Sequence, residues 1–530
     1  MDKRRLRRRF IAEYGSVPDP LYLTGDMEHI RAYHDARAAR EPHIFAIDDV
    51  TWNDLDMDRL FRRINPGLST SGEQYLYHLL RTPAQTDAEL RRRAGLTDLM
   101  AKDSGLRTDL QLILHRLGCA RRADLSSAFS PRQHGPGWLI VYVLLLSIFV
   151  TSLFCMPLLG GSGLLLPMLC LIVNGLTHEF RRTACERDYA TVNYSVRMVH
   201  ALHRVRRLRH AGVDGFVGDA YAGVDRLKAV LRVGGVSLMG GDMVADMMNT
   251  VLLTDLIAYE FLKNRLGRCH EEIFRIHEAL GRLDAAIAVA SFRASLPGSA
   301  VPEIDFAAAG PFIDMRGLRH PLMPGTVPND VSAGRSILLT GSNASGKSTF
   351  LKAVMTNAIL AQTLCTTACA SCRMSAFRPM TSMALRDDLA AGESYYIVEL
   401  RSLRRILEAA QQPGPPVLAA VDEVLRGTNT IERIAASCEA LLELADAGAL
   451  CIAATHDLEL CAMLEADYDL HHFEEQVTGD AVAFDYLLRP GPATSRNAIR
   501  LLRLMGFPDR VVDAADARAA AFLQTGTWRA

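Results

Sequence analysis

Apolar and polar positions along the 530-residue chain fall into three regimes. From Ile47 to about Leu117 apolar residues recur three or four apart, as in Tyr75, Leu76, Leu79 and Leu80. Charges such as Arg91, Arg92 and Arg93 take the opposite face, which predicts amphipathic helices. The stretch 137–177 contains no Asp, Glu, Lys or Arg and is mostly apolar, enough for two helices of about 20 residues each. Met156-Pro157 or Gly160-Gly161-Ser162-Gly163 supplies a turn between them. Residues 178–300 return to amphipathic helical patterns, and Met243 to Leu262 carries Asp246, Asp255 and Glu260, which argues against a third span. Pro297-Gly298 and Pro302 mark a linker. From about Phe312 short apolar runs alternate with helical patterns, the signature of an α/β sheet. The expected division is a segment 1–45 without clear period, helical parts 46–136 and 178–300 interrupted by an apolar hairpin 137–177, and an α/β domain 301–530.

Charge changes the picture locally. Lys and Arg number 59 against 60 Asp and Glu, so the chain as a whole exerts no pull on a polyanion and any basic surface is local. One such place is the N-terminus, with Lys3, Arg4, Arg5, Arg7, Arg8 and Arg9. No apolar run follows directly, so it is not a secretory signal peptide; it reads as a solvated tail or as a contact for anionic lipid or DNA. A second basic segment holds Arg197, Arg204, Arg206, Arg207 and Arg209 with His200, His203 and His210. It reads as a solvated or lipid-facing helix, or as a DNA phosphate contact. Arg121, Arg122 and Arg132 precede the apolar stretch and Arg181, Arg182 and Arg187 follow it. Positive flanks on both sides predict a transmembrane helical hairpin in the cell inner membrane with both termini cytoplasmic. The alternative is a buried helical hairpin in a soluble domain. Eleven scattered cysteines suit a reducing cytosol. Cys365, Cys369 and Cys372 have the spacing of a radical-SAM cluster, yet a cluster there would collide with the nucleotide fold described next, so packing of small residues is the expected role.

The chemistry concentrates in three strand ends. Ile337-Leu-Leu-Thr340 runs into Gly341-Ser342-Asn343-Ala344-Ser345-Gly346-Lys347-Ser348-Thr349 and then a helical pattern, the Walker A context. Glycines at 341 and 346 let backbone N–H groups close around phosphate oxygens at the positive end of a helix. Lys347 would reach the terminal phosphates of ATP, and the Ser348 hydroxyl would ligate Mg²⁺. A second apolar run, Val417 to Val421, ends in Asp422-Glu423. Asp422 would hold Mg²⁺ and Glu423 would orient the attacking water. A third, Leu450 to Ala454, delivers Thr455-His456, whose imidazole can sense the terminal phosphate. Ligand groups gathered at strand ends are what an open α/β sheet provides.

Taken together, the phosphate loop, Asp387-Asp388-Leu389-Ala390-Ala391-Gly392-Glu393-Ser394, Asp422-Glu423-Val424-Leu425-Arg426-Gly427-Thr428 and Ala454-Thr455-His456 resemble the ATPase domain of the MutS family. Gly317-Leu-Arg-His320-Pro321 resembles the lead-in to that domain, Ser69 to Arg81 the start of the family's helical core, and Leu283 to Ala290 its returning lever helix. The resemblance implies a homodimer through the ATPase domain, with Ser394 reaching in trans to the phosphate bound by the partner's Lys347. It also implies a role for Asn343 in the loop, and a clamp that ATP closes and hydrolysis releases. The family's mismatch sensors place a mismatch-reading domain and a connector before the helical core. Here the core pattern starts near residue 46, and no Phe-x-Glu wedge precedes it. Ser495-Arg496-Asn497-Ala498 stands where the family has a glycine-containing segment. The expectation is a membrane-tethered, DNA-binding ATPase related to mismatch repair or recombination. The alternative is a membrane-bound conformational ATPase acting on a protein or lipid partner. A transporter is the third reading, with too few spans for a pathway.

Overall fold

The computed structural model describes residues 2–23, 25–129, 137–158, 163–231, 243–323, 325–342, 345–383, 395–425, 428–478, 481–493, 499, 502–503 and 505–525. Its contacts divide the chain into two compact units. One comprises residues 1–44, 64–79 and 92–294, and the other residues 45–63, 80–91 and 295–530. A helical N-terminal part and C-terminal α/β sheets are both present, as the patterns predict.

The first unit is helical. Its axis is the 26-residue helix His270–Ser295, whose Ile276, Ala279, Leu280, Leu283, Ile287 and Ala290 recur three or four apart and are all buried. The segment that opens with Ser69 meets this helix through a hydrogen bond from Ser69 Oγ to Asp284 Oδ2 at 2.5 Å. The pieces read from the sequence as core start and returning lever therefore touch. Helices Ser104–Leu117 and Glu186–Arg206 add Leu110, Leu114, Tyr194, Leu202 and Val205 to the same core.

The apolar stretch forms helices Gly137–Cys155 and Leu165–Ala184, which pack on each other and, further along, on Met243–Leu252 and Thr254–Arg268. The stretch 243–262 is broken at Leu253, whose φ of 53° ends one helix and starts the next. The transmembrane hairpin expected over 137–177 needs correction. Among the described residues only Trp138–Cys155 is long and apolar enough to cross a membrane. The second helix does not stop at Thr177 but runs on to Ala184, so Glu179, Arg181 and Arg182 lie within it and dilute its apolar character. It also points its polar groups inward. Asn174 Nδ2 donates to the Val251 carbonyl at 2.8 Å, and His178 Nε2 lies 3.0 Å from Asp255 Oδ2, with Asn174, His178 and Asp255 all buried. Arg181 Nε donates to the Tyr142 hydroxyl at 2.9 Å, and its guanidinium lies 4.1 Å from the Trp138 ring centre. Leu165, Leu169, Ile172, Leu176 and Phe180 point outward instead.

Among the described residues the second unit holds three sheets built from twelve strands: β1 (Glu303–Asp305), β2 (Ile313–Leu318), β3 (Asn329–Ala333), β4 (Ser336–Thr340), β5 (Ser371–Ser375), β6 (Arg378–Ser382), β7 (Val417–Asp422), β8 (Leu450–Ala454), β9 (Tyr468–His472), β10 (Glu475–Thr478), β11 (Ala481–Phe484) and β12 (Arg489–Pro490). The six-stranded sheet has the order β12-β9-β4-β8-β7-β6, parallel except for the edge strand β12. Strands β4, β7 and β8 are continuous apolar runs because helices cover both faces of a parallel sheet. The helix Lys347–Leu364 is one of these covers and is buried along most of its length. Strands β1-β5-β2-β3 make a second sheet, and β10 and β11 pair as a hairpin. Residues 45–63 dock on this unit: Thr51 Oγ1 accepts from the Thr381 amide at 3.1 Å, and Asp54 Oδ2 accepts from Thr381 Oγ1 at 2.7 Å. Cys369 and Cys372 are buried, and burial pushes the Cys369 thiol up to about 12 and that of Cys372 higher still, as expected of packed thiols rather than reactive ones.

Candidate nucleotide site

Register brings the three chemical strand ends together. Leu339 on β4 pairs with Ala454 on β8, and Ala454 pairs in turn with Asp422 on β7. The residues that leave these strands therefore emerge side by side. Two further backbone bonds hold the exits in place: the Thr455 amide donates to the Leu339 carbonyl and the Glu423 amide to the Ala454 carbonyl, each at 2.9 Å.

The phosphate loop leaves β4 at Gly341, whose φ is 141°. A Cβ there would lie 2.5 Å from the Phe473 carbonyl oxygen, so no other residue fits without moving the backbone after β9. Gly346 (φ 108°) turns the chain into the helix Lys347–Leu364. Lys347 is buried, with Nζ donating to the carbonyls of Gly341 at 2.8 Å and Ser342 at 2.9 Å, which curls the ammonium over the loop. Ser345 Oγ is buried without a hydrogen-bond partner. Asn343 and Ala344, expected in the loop, lie outside the described residues, as do Ser394 with its signature string, Arg426, Gly427 and the 495–498 segment.

At the end of β7, Glu423 takes a left-handed backbone conformation, φ 59°, rare for a side chain with a Cβ and a mark of an over-determined position. Its Oε1 lies 3.0 Å from His456 Nε2. Beyond His456, Asp457 receives two hydrogen bonds from Arg433, at 2.9 and 2.6 Å, and its amide donates to Thr455 Oγ1. The exit of β8 is thus anchored on both sides of the histidine. Among the described residues Asp422 Oδ1 is buried without a hydrogen-bond partner. A buried carboxylate oxygen left without a donor is costly unless a cation meets it. Together with the Ser348 hydroxyl it is a hard oxygen set that fits Mg²⁺.

The phosphate loop and Glu423, though not Asp422 or His456, face a cavity of about 560 Å³. Ser342, Ser345, Gly346, Lys347, Ser348, Thr349 and Glu423 line one part of it. Leu318, His320, Met323, Val327, Phe473 and Tyr486 line the rest, a set the sequence reading left out apart from noting His320 in the lead-in. His320 is buried, and burial, reinforced by the charge of Lys352, pushes its imidazole down to about 4. Its Nδ1 accepts from the Leu322 amide at 3.2 Å, so the neutral ring carries its proton on Nε2. Tyr486 is placed by Asn329, whose Nδ2 donates to the Tyr486 carbonyl at 2.9 Å while its Oδ1 accepts from the Leu488 amide at 2.7 Å. A neutral imidazole, an aromatic ring and aliphatic side chains beside a phosphate loop make a pocket for a flat heterocycle joined to phosphates. Their sequence signal is weak because they come from three separate places, residues 318–327, Phe473 and Tyr486, with no local motif joining them.

Residues 337–523 match the family model described as MutS domain V. Among curated proteins, the DNA mismatch repair protein MutS 2 of Halobacterium salinarum is 34% identical over 265 residues, covering 48% of this chain and 30% of the relative. The DNA mismatch repair protein MutS of Caulobacter vibrioides is 31% identical over 346 residues, covering 58% of this chain and 37% of the relative. A longer match, to the protein of the same name from a Caulobacter species, is 26% identical over 596 aligned residues and covers 95% of this chain and 64% of the relative. The chain spans about a third of the length of the first of these relatives.

Proposed function

The chain belongs to the MutS family, and on that premise we propose that it is an ATP-hydrolysing dimeric clamp that binds DNA and is held at the cell inner membrane by the apolar helix Trp138–Cys155. The observation that carries the ATPase reading is the convergence of Lys347, Ser348, Asp422, Glu423 and His456 on adjacent ends of β4, β7 and β8. In this reading Lys347 meets the terminal phosphates, and Ser348 and Asp422 hold Mg²⁺. Bound Mg-ATP supplies the phosphoanhydride and the neutralised phosphate charge. Glu423 orients the attacking water and takes up its proton, while His456, 3.0 Å from the carboxylate, fixes its direction. His320 and Tyr486 flank the base. Ser394 completes the site from a second copy, so a monomer is incomplete.

DNA as the partner is supported by the names of the relatives, all DNA mismatch repair proteins. The tether is supported by the helix Trp138–Cys155, about 27 Å long at ~1.5 Å per residue, close to the thickness of a bilayer's hydrocarbon core. A second reading keeps the ATPase and the tether but replaces DNA with a protein or lipid partner. What favours it is the outward apolar face of Gly137–Cys155 and Leu165–Ala184 on a chain of formal net charge −1.

Steady-state ATPase of the detergent-solubilised protein separates the two. It is measured with homoduplex, mismatched and branched DNA over a salt series, with Lys347→Ala as the blank. Stimulation that falls with salt supports the DNA clamp. Turnover above the blank but indifferent to every DNA leaves the second reading. Turnover no greater than the blank overturns both.

A further inference from the structure

The first unit carries a second cavity, of about 500 Å³, far in character from the nucleotide site. It forms where the helix Glu186–Arg206 ends and the chain turns through Arg209, φ 52°, before the helix Tyr221–Arg226 and Lys228 close the other side. Four permanent cations border it, Arg206, Arg207, Arg209 and Lys228, against two carboxylates, Asp214 and Asp225.

Both carboxylates are already engaged. Arg206 Nη1 donates to both oxygens of Asp225 at 3.0 Å, and Lys228 Nζ lies 3.3 Å from Asp225 Oδ1. The Tyr221 hydroxyl donates to Asp214 Oδ1 at 2.6 Å. Among the described residues Arg207 and Arg209 make no ion pair, and both are exposed. The balance is a surplus of about two positive charges. The half-charge of the helix C-terminus offsets only about a quarter of it. Val224, Leu231 and the Tyr221 ring form the apolar side of the same cavity. Guanidinium forks match phosphate oxygens in pairs, and among the described residues no carboxylate pairs with Arg207 or Arg209.

We propose that this cavity is a binding site for a compact phosphate monoester, with Arg207 and Arg209 gripping the phosphate and Tyr221, Val224 and Leu231 receiving the group it is attached to. Arg206 and Lys228 are held by Asp225, and Asp214 is kept from opposing the ligand by the Tyr221 hydroxyl. The phosphate could reach the cavity as a soluble compound or as the headgroup of a lipid such as phosphatidic acid; the chemistry is shared. The proposal does not depend on DNA binding or on ATP turnover.

The test uses the full-length solubilised protein. Binding of glycerol 3-phosphate is followed by calorimetry, and binding to nanodiscs with and without phosphatidic acid by co-sedimentation. Arg207→Ala and Arg209→Ala should each weaken binding about tenfold or more, as loss of a charged hydrogen-bonding partner does. Asp225→Asn, which frees Arg206, should strengthen it, and Arg204→Ala, an exposed arginine outside the cavity, should leave it unchanged. Binding of glycerol 3-phosphate with this pattern identifies a soluble source; the same pattern seen only with phosphatidic acid nanodiscs identifies the lipid. Absence of binding to both, or equal loss in Arg204→Ala, overturns the site, the latter in favour of a diffuse basic surface such as DNA would contact.

Discussion

Gly281 lies in the middle of the helix His270–Ser295, where helix propensity alone says that alanine should be better. Removing backbone freedom from the unfolded chain is worth about 0.5–1 kcal/mol for a helix-interior Gly→Ala change. The structure predicts the opposite sign. A Cβ at 281 would stand 2.5 Å from Tyr75 Cβ and 2.8 Å from the Ser71 carbonyl oxygen. Neither is the free end of a flexible chain, so one helix must shift against the other. Overpacking of that kind costs about 1–3 kcal/mol, which leaves a net loss of up to about 2.5 kcal/mol, roughly 1 at the middle of both ranges, after the propensity gain. Gly215, also helical, has nothing within 4 Å of its Cβ position. Gly215→Ala should therefore gain the propensity term undiminished. Urea unfolding followed by helical circular dichroism compares the two against the parent. The expected result is a lower midpoint for Gly281→Ala and an unchanged or higher one for Gly215→Ala. A Gly281→Ala protein as stable as Gly215→Ala would refute the close crossing at Ser71 and Tyr75.

Three further predictions follow from the buried and reacting groups. Burial pushes the Asp284 carboxyl from 3.8 up to about 7, so the folded state holds a proton that the unfolded chain has lost. Its stabilising effect is full below about pH 4 and disappears as pH rises to about 7, a span of roughly 4 kcal/mol at about 1.4 kcal/mol per tenfold. Asp284→Asn, which can still accept from Ser69, should flatten the decline in stability between pH 5 and 8. Glu73, pushed up by burial as well, keeps some slope, and an identical slope in the variant would sink the linkage. Glu423→Gln should bind ATP as tightly as the parent but turn it over at least a hundredfold more slowly, read by nucleotide binding and phosphate release in parallel. Unchanged turnover would remove Glu423 as the water-orienting group. Asp422→Asn should raise the Mg²⁺ concentration needed for half-maximal ATPase about tenfold or more, while an unchanged Mg²⁺ titration would leave the orphaned Oδ1 without a metal.

The strand ends of the proposed nucleotide site were legible because their signals are contiguous and of different kinds. Strand β4, the glycine loop and the helix that follows occupy one unbroken segment, and Asp422-Glu423 and Thr455-His456 sit directly at strand ends. Strand order and register, which put those ends next to each other, follow from the parallel pairing of apolar runs. His320, Asn329, Phe473 and Tyr486 were not legible as site residues, since each acts through a fold contact rather than a local pattern. Residues 45–63 show the same limit. Their helical period states which face is apolar but not which unit that face meets, and it is Thr51 and Asp54 bonding to Thr381 that decide.

The apolar stretch marks where averaging along the chain loses information that faces retain. Counting charges over 137–177 treats the second helix like the first, but Leu165–Ala184 is two-sided in a sense opposite to a soluble helix. Its Asn174 and His178 are buried, while Phe180 is 70% exposed and Leu176 69%. In water such an arrangement is unfavourable twice over, because apolar area stays wet and polar groups must be matched inside. Inside, Asn174 Nδ2, His178 Nε2 and Arg181 Nε meet the Val251 carbonyl, Asp255 and Tyr142, while Asn174 Oδ1 and His178 Nδ1 find no hydrogen-bond partner among the described residues. In the proposed tethered state, lipid against the outer face would remove the cost of its wet apolar area without any change to the helix, and Arg181 and Arg182 would be placed to reach headgroups. Deleting residues 137–184 should release the protein into the soluble fraction with its ATPase intact. Persistent membrane association would shift the anchor to the basic N-terminal helix Lys3–Glu13.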